Sequence, residues 1–197
     1  MRRRSFLIFI LFALIILSFD IGHAAEVNDG FQEAGRIESR YFTILLEGGV
    51  DSHDLAMRIY VPASIRAIIK SPVGLSSSDS LGDQFDMLFL ALSEMLDIRL
   101  RKFNCKVKVC SNAARLSEIT EKLFGRSIEV PGFYVLQINT IYIDAKNIDL
   151  NILGHEMCHA IQCNYFVIPP PEKLQEVLSG YVEYQLRKYT GTLPKGR

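Results

Sequence analysis

The chain has 197 residues, 49% of them apolar, and its 22 basic side chains balance 22 acidic ones. That is about one domain with a sizeable core. With no basic stripe and no run of five like charges, it lacks the footprint of a protein that binds nucleic acid or an anionic membrane.

The first 24 positions read as an export signal. "MRRR" is a charged start, "SFLIFILFALIILSF" is an apolar run of 15, and "GHA" before Ala25 is a small-x-small cleavage pattern. The run is shorter than the ~20 residues that span a bilayer. Asp20 ends it, and no cysteine follows for lipid attachment. Residues 1–24 are therefore expected to be a cleaved signal peptide. No stable membrane anchor would remain, and the mature protein would be extracytoplasmic, either periplasmic or secreted. Without that segment, 19 basic residues face 21 acidic ones, because Arg2, Arg3, Arg4 and Asp20 leave with it.

Residues 25–36 are polar and are expected to be a flexible segment ahead of a single domain at 37–197. "RYFTILLEG" (40–48) predicts a strand. "DSHDLAMRIY" and "ASIRAIIK" predict short helices broken at Pro62, and Pro72 opens a serine-rich loop. From Ser80 the spacing of Leu81, Phe85, Leu88, Leu92 and Met95 predicts a long helix capped by Asp79 or Ser80. "CKVKVC" alternates like a strand. A helix follows, with Asn112 as its cap and Gly125 as its stop. "PGFYVLQINTIYIDA" predicts two strands about a tight connection at 138–140. A helix begins near Asp149, and a last one has Pro171 in its first turn. The whole reads as one α+β domain with more helices than strands.

Four cysteines in an exported chain raise the question of disulfides. As a strand, residues 105–110 hold Cys105 and Cys110 ~16 Å apart, beyond the ~7 Å that a bridge spans. Cys158 and Cys163 lie ~7.5 Å apart along a helix, on different faces. The alternatives are bridges from one segment to the other, or four buried free thiols.

The richest stretch is "ILGHEMCHAIQ", residues 152–162, which holds two of the chain's four histidines. On a helix, His155 and His159 are ~40° apart around the axis and ~6 Å apart along it, so both imidazoles can reach one ion. Zn2+ takes neutral imidazole nitrogens, and a catalytic site keeps one position open for water. Glu156 lies ~100° round from His155, beside such an ion, where a carboxylate can act as general base. His53 reads as a surface residue and His23 as part of the signal.

"GHEMCHAIQ" followed by "QEVLSGYVEYQL" resembles zincin metallopeptidases of the gluzincin type, most of all the small peptidase MA-like domains. Their second helix often carries E-x-[LF]-[AS]-x-[YF]-x-E. Glu176, Leu178, Ser179, Tyr181 and Glu183 match it, with sixteen residues between His159 and Glu176. The resemblance spans roughly residues 130–190 and more thinly reaches back to Arg40. It implies a zincin-like domain with a small mixed sheet packed on helices, and Glu176 as third metal ligand. It also implies Glu156 as catalytic base, and an edge strand at Gly132, Phe133 and Tyr134 that pairs with substrate. Glu172 competes as a ligand, although the dipole at a helix start also explains it; Glu183 suits a carboxylate that orients a liganding histidine. Gly180 replaces the acidic residue that often follows the third ligand by four, and a close approach of the two helices would account for it.

Larger gluzincins supply a tyrosine or histidine to the oxyanion from far beyond the glutamate helix. The candidates here are Tyr181, Tyr184, Tyr165 and Tyr134. The expectation is an exported zinc-dependent peptidase acting on a peptide or protein substrate. The alternatives are a non-catalytic zincin-like scaffold holding extended polypeptide with a partner protein in an envelope assembly, and an amidase acting on cell-wall peptides.

Overall fold

Alternation of branched and polar side chains sets the central layer. The computed structural model describes residues 28–70 and 80–193; the expected signal peptide and most of the serine-rich loop lie outside them. Five strands, β1 (Glu33–Glu38), β2 (Phe42–Glu47), β3 (Cys105–Cys110), β4 (Gly132–Val135) and β5 (Thr140–Asp144), form one sheet in the order β1-β2-β3-β5-β4. The inner pairs, β2 with β3 and β3 with β5, are parallel, while both edge strands run antiparallel to their neighbours. This is a mixed α+β domain.

Successive residues of a strand face opposite sides, and the two sides meet different helices. Phe42, Ile44, Val107, Val109, Ile141 and Ile143 share the larger core. Over it lie α1 (Ser52–Arg58), α2 (Ala63–Arg66), α3 (Leu81–Leu96), α5 (Leu150–Tyr165) and α6 (Glu172–Thr190). On the other side Cys110, Phe133 and Tyr142 pack with Leu116 and Ile119 of α4 (Ala113–Phe124). Phe133 stacks on Tyr142 with ring centroids 4.9 Å apart.

Capping places the helices. The Ser80 hydroxyl accepts from Asp83 N, the Asn112 side chain from Arg115 N, and the Asp149 carboxylate from Ile152 N, each satisfying a backbone donor that the first turn leaves open. Gly125 and Gly191 close α4 and α6 at positive φ, a conformation that costs a glycine little.

Three expectations need correction. The segment expected to be flexible, 25–36, is ordered from residue 28 on. Its Asp29 is buried and bonds the Lys108 ammonium and the Tyr142 hydroxyl, and β1 occupies Glu33–Glu38. The connection before β5 starts earlier than 138: a 3-10 turn takes Leu136–Ile138, and Asn139 at φ +45° reverses the chain. Gly180 is exposed, and a Cβ there would meet nothing within 4 Å, so no helix crosses at it. The close approach is at Gly154, where a Cβ would lie 2.4 Å from Leu186 Cδ1. Among the open alternatives for the cysteines, the structure has four free thiols, three of them buried.

Candidate metal centre

α5 and α6 are the arms of the site. They pack antiparallel: Gly154, early in α5, meets Leu186 late in α6, while Gln162 at the end of α5 bonds the Gln175 carbonyl at the start of α6. Gln175, Ser179, Val182 and Leu186 form the buried face of α6. At 100° per residue this turns Glu176 and Glu183 about 80° to one side, toward the histidines of α5.

The three sequence-predicted ligands come together. His155 Nε2 and His159 Nε2 are 3.1 Å apart. Glu176 Oε2 is 3.5 Å from the first and its Oε1 is 3.4 Å from the second. With one atom from each residue, the set closes within 4.8 Å. A tetrahedral ion with ligands at ~2.0–2.1 Å has edges of ~3.3 Å, so these separations suit zinc.

The outer nitrogens test the fit independently. His155 Nδ1 is 2.8 Å from Glu183 Oε1, and His159 Nδ1 is 3.3 Å from Gln175 Oε1. Each acceptor favours a proton on Nδ1 and so leaves the Nε2 lone pair for an ion, the usual support of a liganding histidine. Glu183 thus stands where the sequence placed it. Gln175 was missed; the signal was its position next to Glu176, a polar residue on the buried side of an amphipathic helix. It is held in turn, since its Nε2 donates to Pro170 O at 2.7 Å. Glu172 lines the same cleft but lies outside the ligand cluster.

Electrostatics couple the groups of the cluster. Burial alone would lower His155, but the carboxylates of Glu176 and Glu183 reverse this and push it up to about 10. Hydrogen bonds from His155 and His159 hold the Glu176 carboxyl well below the usual carboxylate range, against the effect of burial. Glu156 moves the other way: burial raises it, and the two histidines oppose the rise. A partly buried carboxyl with a raised pKa beside a cluster of ligating groups is a common mark of a functional site.

No family model, curated protein or solved structure matches the chain. The arrangement is therefore read from its own atoms.

A cleft of about 220 Å³ runs between α5 and β4. That is less than the ~300–1,000 Å³ of pockets that engulf a small molecule, and it suits a length of chain lying in a groove. Apolar side chains of Phe124, Ile128, Val130 and Ile152 line part of it, and Glu156, Glu172, Glu176 and Glu183 line the rest, with no lysine or arginine among them. β4 is the sheet edge. Asp144 N donates to Pro131 O, so hydrogen-bonded pairing with β5 recurs at Phe133 and Val135, and the main-chain groups of Gly132 and Tyr134 face outward. The Tyr134 N–H is donated to the Glu156 carboxylate. Of the three edge-strand candidates, Gly132 and Tyr134 present backbone to the cleft. Phe133 instead commits its side chain to the second core, 2% exposed.

The tyrosine candidates fare differently. Tyr165, Tyr181 and Tyr184 are exposed and do not line the cleft; Tyr134 lines it but donates its hydroxyl to Asn139 Oδ1 at 2.9 Å.

Proposed function

We propose that this chain is an exported, zinc-dependent metallopeptidase of the gluzincin type, with His155, His159 and Glu176 as the metal ligands. The observation that carries the reading is the convergence of those three side chains, each histidine backed at Nδ1, beneath an open strand edge. When bound, a zinc ion supplies Lewis acidity, polarising a carbonyl and lowering the pKa of water toward ~7.

The chain's own residues do the rest. The Gly132 N–H and the carbonyls of Gly132 and Tyr134 align an extended peptide by strand addition, the Tyr134 N–H being given to Glu156. A Cβ at Gly132 would press on Tyr142 O at 3.1 Å and just touch Glu156 Cγ at 3.4 Å, so glycine suits an edge that lies this close to the base. The Glu156 carboxylate, steadied by the Tyr134 N–H, takes the proton of the attacking water. It then returns that proton to the nitrogen of the departing amine. Burial brings its pKa nearer the working pH, as a group that must both accept and donate requires.

One observation favours the scaffold reading as runner-up. Among the described residues no serine, threonine, lysine or arginine lines the cleft, its one tyrosine hydroxyl is engaged elsewhere, and Gln137 is left as the amide donor. A donor to the oxyanion is usually worth several kcal/mol.

Metal analysis and a peptide library separate the readings. The expected result is one zinc per chain, lost in His155→Ala and in Glu176→Ala. Cleavage should require the metal and vanish in Glu156→Gln, which retains it. Zinc with no cleavage would favour the scaffold, and cleavage surviving in Glu156→Gln would remove the mechanism.

A further inference from the structure

The cleft has two unlike ends. β4 runs alongside α5 in the same direction: the Tyr134 N–H reaches Glu156, and Asn139, just past the strand, accepts from Asn164 Nδ2 at 2.8 Å. Ile152, with Ile128 and Val130, therefore marks an apolar end, and Cys163, with Leu136 and Gln137, marks the other. About 16 Å of helix axis separates Ile152 from Cys163, the length of about five residues of extended chain. The two histidines stand midway.

Glu172 stands at the Cys163 end. It is half-buried and lines the cleft one turn before Glu176, ~6 Å nearer the start of α6. The other three carboxylates of the cleft are engaged: Glu176 and Glu183 meet the histidines, and Glu156 receives the Tyr134 N–H. Among the described residues none pairs with Glu172. The helix dipole favours an acid anywhere in the first turn and so does not decide which way this one faces. The ~40° step that aligns it with Glu176 turns it over the groove. A divalent ion would balance only two of the four carboxylates, and no lysine or arginine among the described residues lines the groove to balance the rest. A cleft lined by one sign of charge draws in the other.

We infer that Glu172 selects the occupant of the cleft: an extended peptide that carries a lysine or arginine side chain at this end. Such side chains hold their charge ~6 Å from the backbone, which covers the one-turn offset between Glu172 and the histidines. Arginine fits best, since its planar fork can give two N–H groups to one carboxylate. Antiparallel pairing with β4, the commoner kind, sets the basic residue on the amino side of the bond held over the histidines. The inference rests on the peptide-groove reading proposed above and not on hydrolysis.

Calorimetric titration of the natural protein carrying Glu156→Gln, with zinc supplied, tests it apart from turnover. The probes are pentapeptides that differ only in having arginine, glutamine or glutamate at one position, scanned along the chain. At one position arginine should bind about five- to tenfold more tightly than glutamine, and the advantage should shrink as salt rises. Adding Glu172→Gln should erase it, and Glu172→Arg should turn the preference to glutamate, with zinc content and far-UV circular dichroism unchanged in both. The protein without Glu156→Gln should cut the arginine peptide at the highest kcat/KM. If it binds no zinc or cuts nothing, the peptidase reading falls while the binding preference still stands. Equal affinity for arginine and glutamine, binding of no peptide at all, or an arginine preference that survives Glu172→Gln overturns the inference.

Discussion

Two regions of this molecule gather carboxylates, and they give them different partners. Behind the sheet, Asp29 meets Lys108 and Tyr142. Glu47 meets Arg115 at 2.9 Å and Ser111 N at 3.1 Å, and Arg115 also donates to Gly30 O. Both carboxyls are held below their ordinary values despite burial. In the α5–α6 cleft four glutamates and two histidines crowd together with no lysine or arginine among them. Carboxylates matched by lysine or arginine hold chains together; Glu176 and Glu183, matched chiefly by imidazole nitrogens, sit among groups that can also ligate a metal.

The largest effect that could break this comparison is Glu156→Gln. It should reduce peptide cleavage by about 10²–10⁴-fold while leaving zinc content and thermal stability nearly unchanged.

Glu47→Ala should do the reverse, costing about 1–2 kcal/mol of stability by removing the acceptor of Ser111 N and one of the two carboxylates on Arg115, with metal content unaffected. Its pH dependence is signed. The folded pKa of Glu47 lies below 4.5, so its contribution is present above about pH 4.5 and is lost as pH falls through the folded value. The difference in denaturation midpoint between wild type and variant should therefore shrink on acidification.

Glu183→Gln sharpens the contrast inside the cleft. It should weaken zinc binding about 10–100-fold, read by competition with a chelator.

The two helix glycines should then give opposite signs. Gly154→Ala should destabilise by about 1–3 kcal/mol, because the methyl meets Leu186 in a packed interface. Gly180→Ala should stabilise by about 1 kcal/mol, because a Cβ there meets nothing within 4 Å.

What could be read beforehand was what local chemistry decides. Asn112, Gly125 and Asp149 mark helix ends within a residue, because a cap acts on donors and acceptors one turn away. The histidine pair was legible from helix geometry, whereas Glu176 was singled out from Glu172 by the resemblance of the second helix to the gluzincin pattern. β1 escaped notice because "EAGRIE" lies on a solvated edge and never alternates apolar with polar. Asp29 gave no sign of being buried, because the groups that hold it lie 79 and 113 positions away. Tyr181 and Tyr184 were placed on the correct helix, yet which way they face was decided by the packing of α5 against the opposite side. Gly180 was noticed as odd but given the wrong neighbour, since periodicity cannot say which face meets which helix.

The shortness of β4 has a consequence of its own. An uncovered sheet border invites uncontrolled joining of molecules end to end. Here a 3-10 turn bends one end away, only Gly132 and Tyr134 turn main-chain groups outward, and one of their two amides is already taken by Glu156. What is left is long enough to hold a visiting segment of a few residues and too brief to template a fibre.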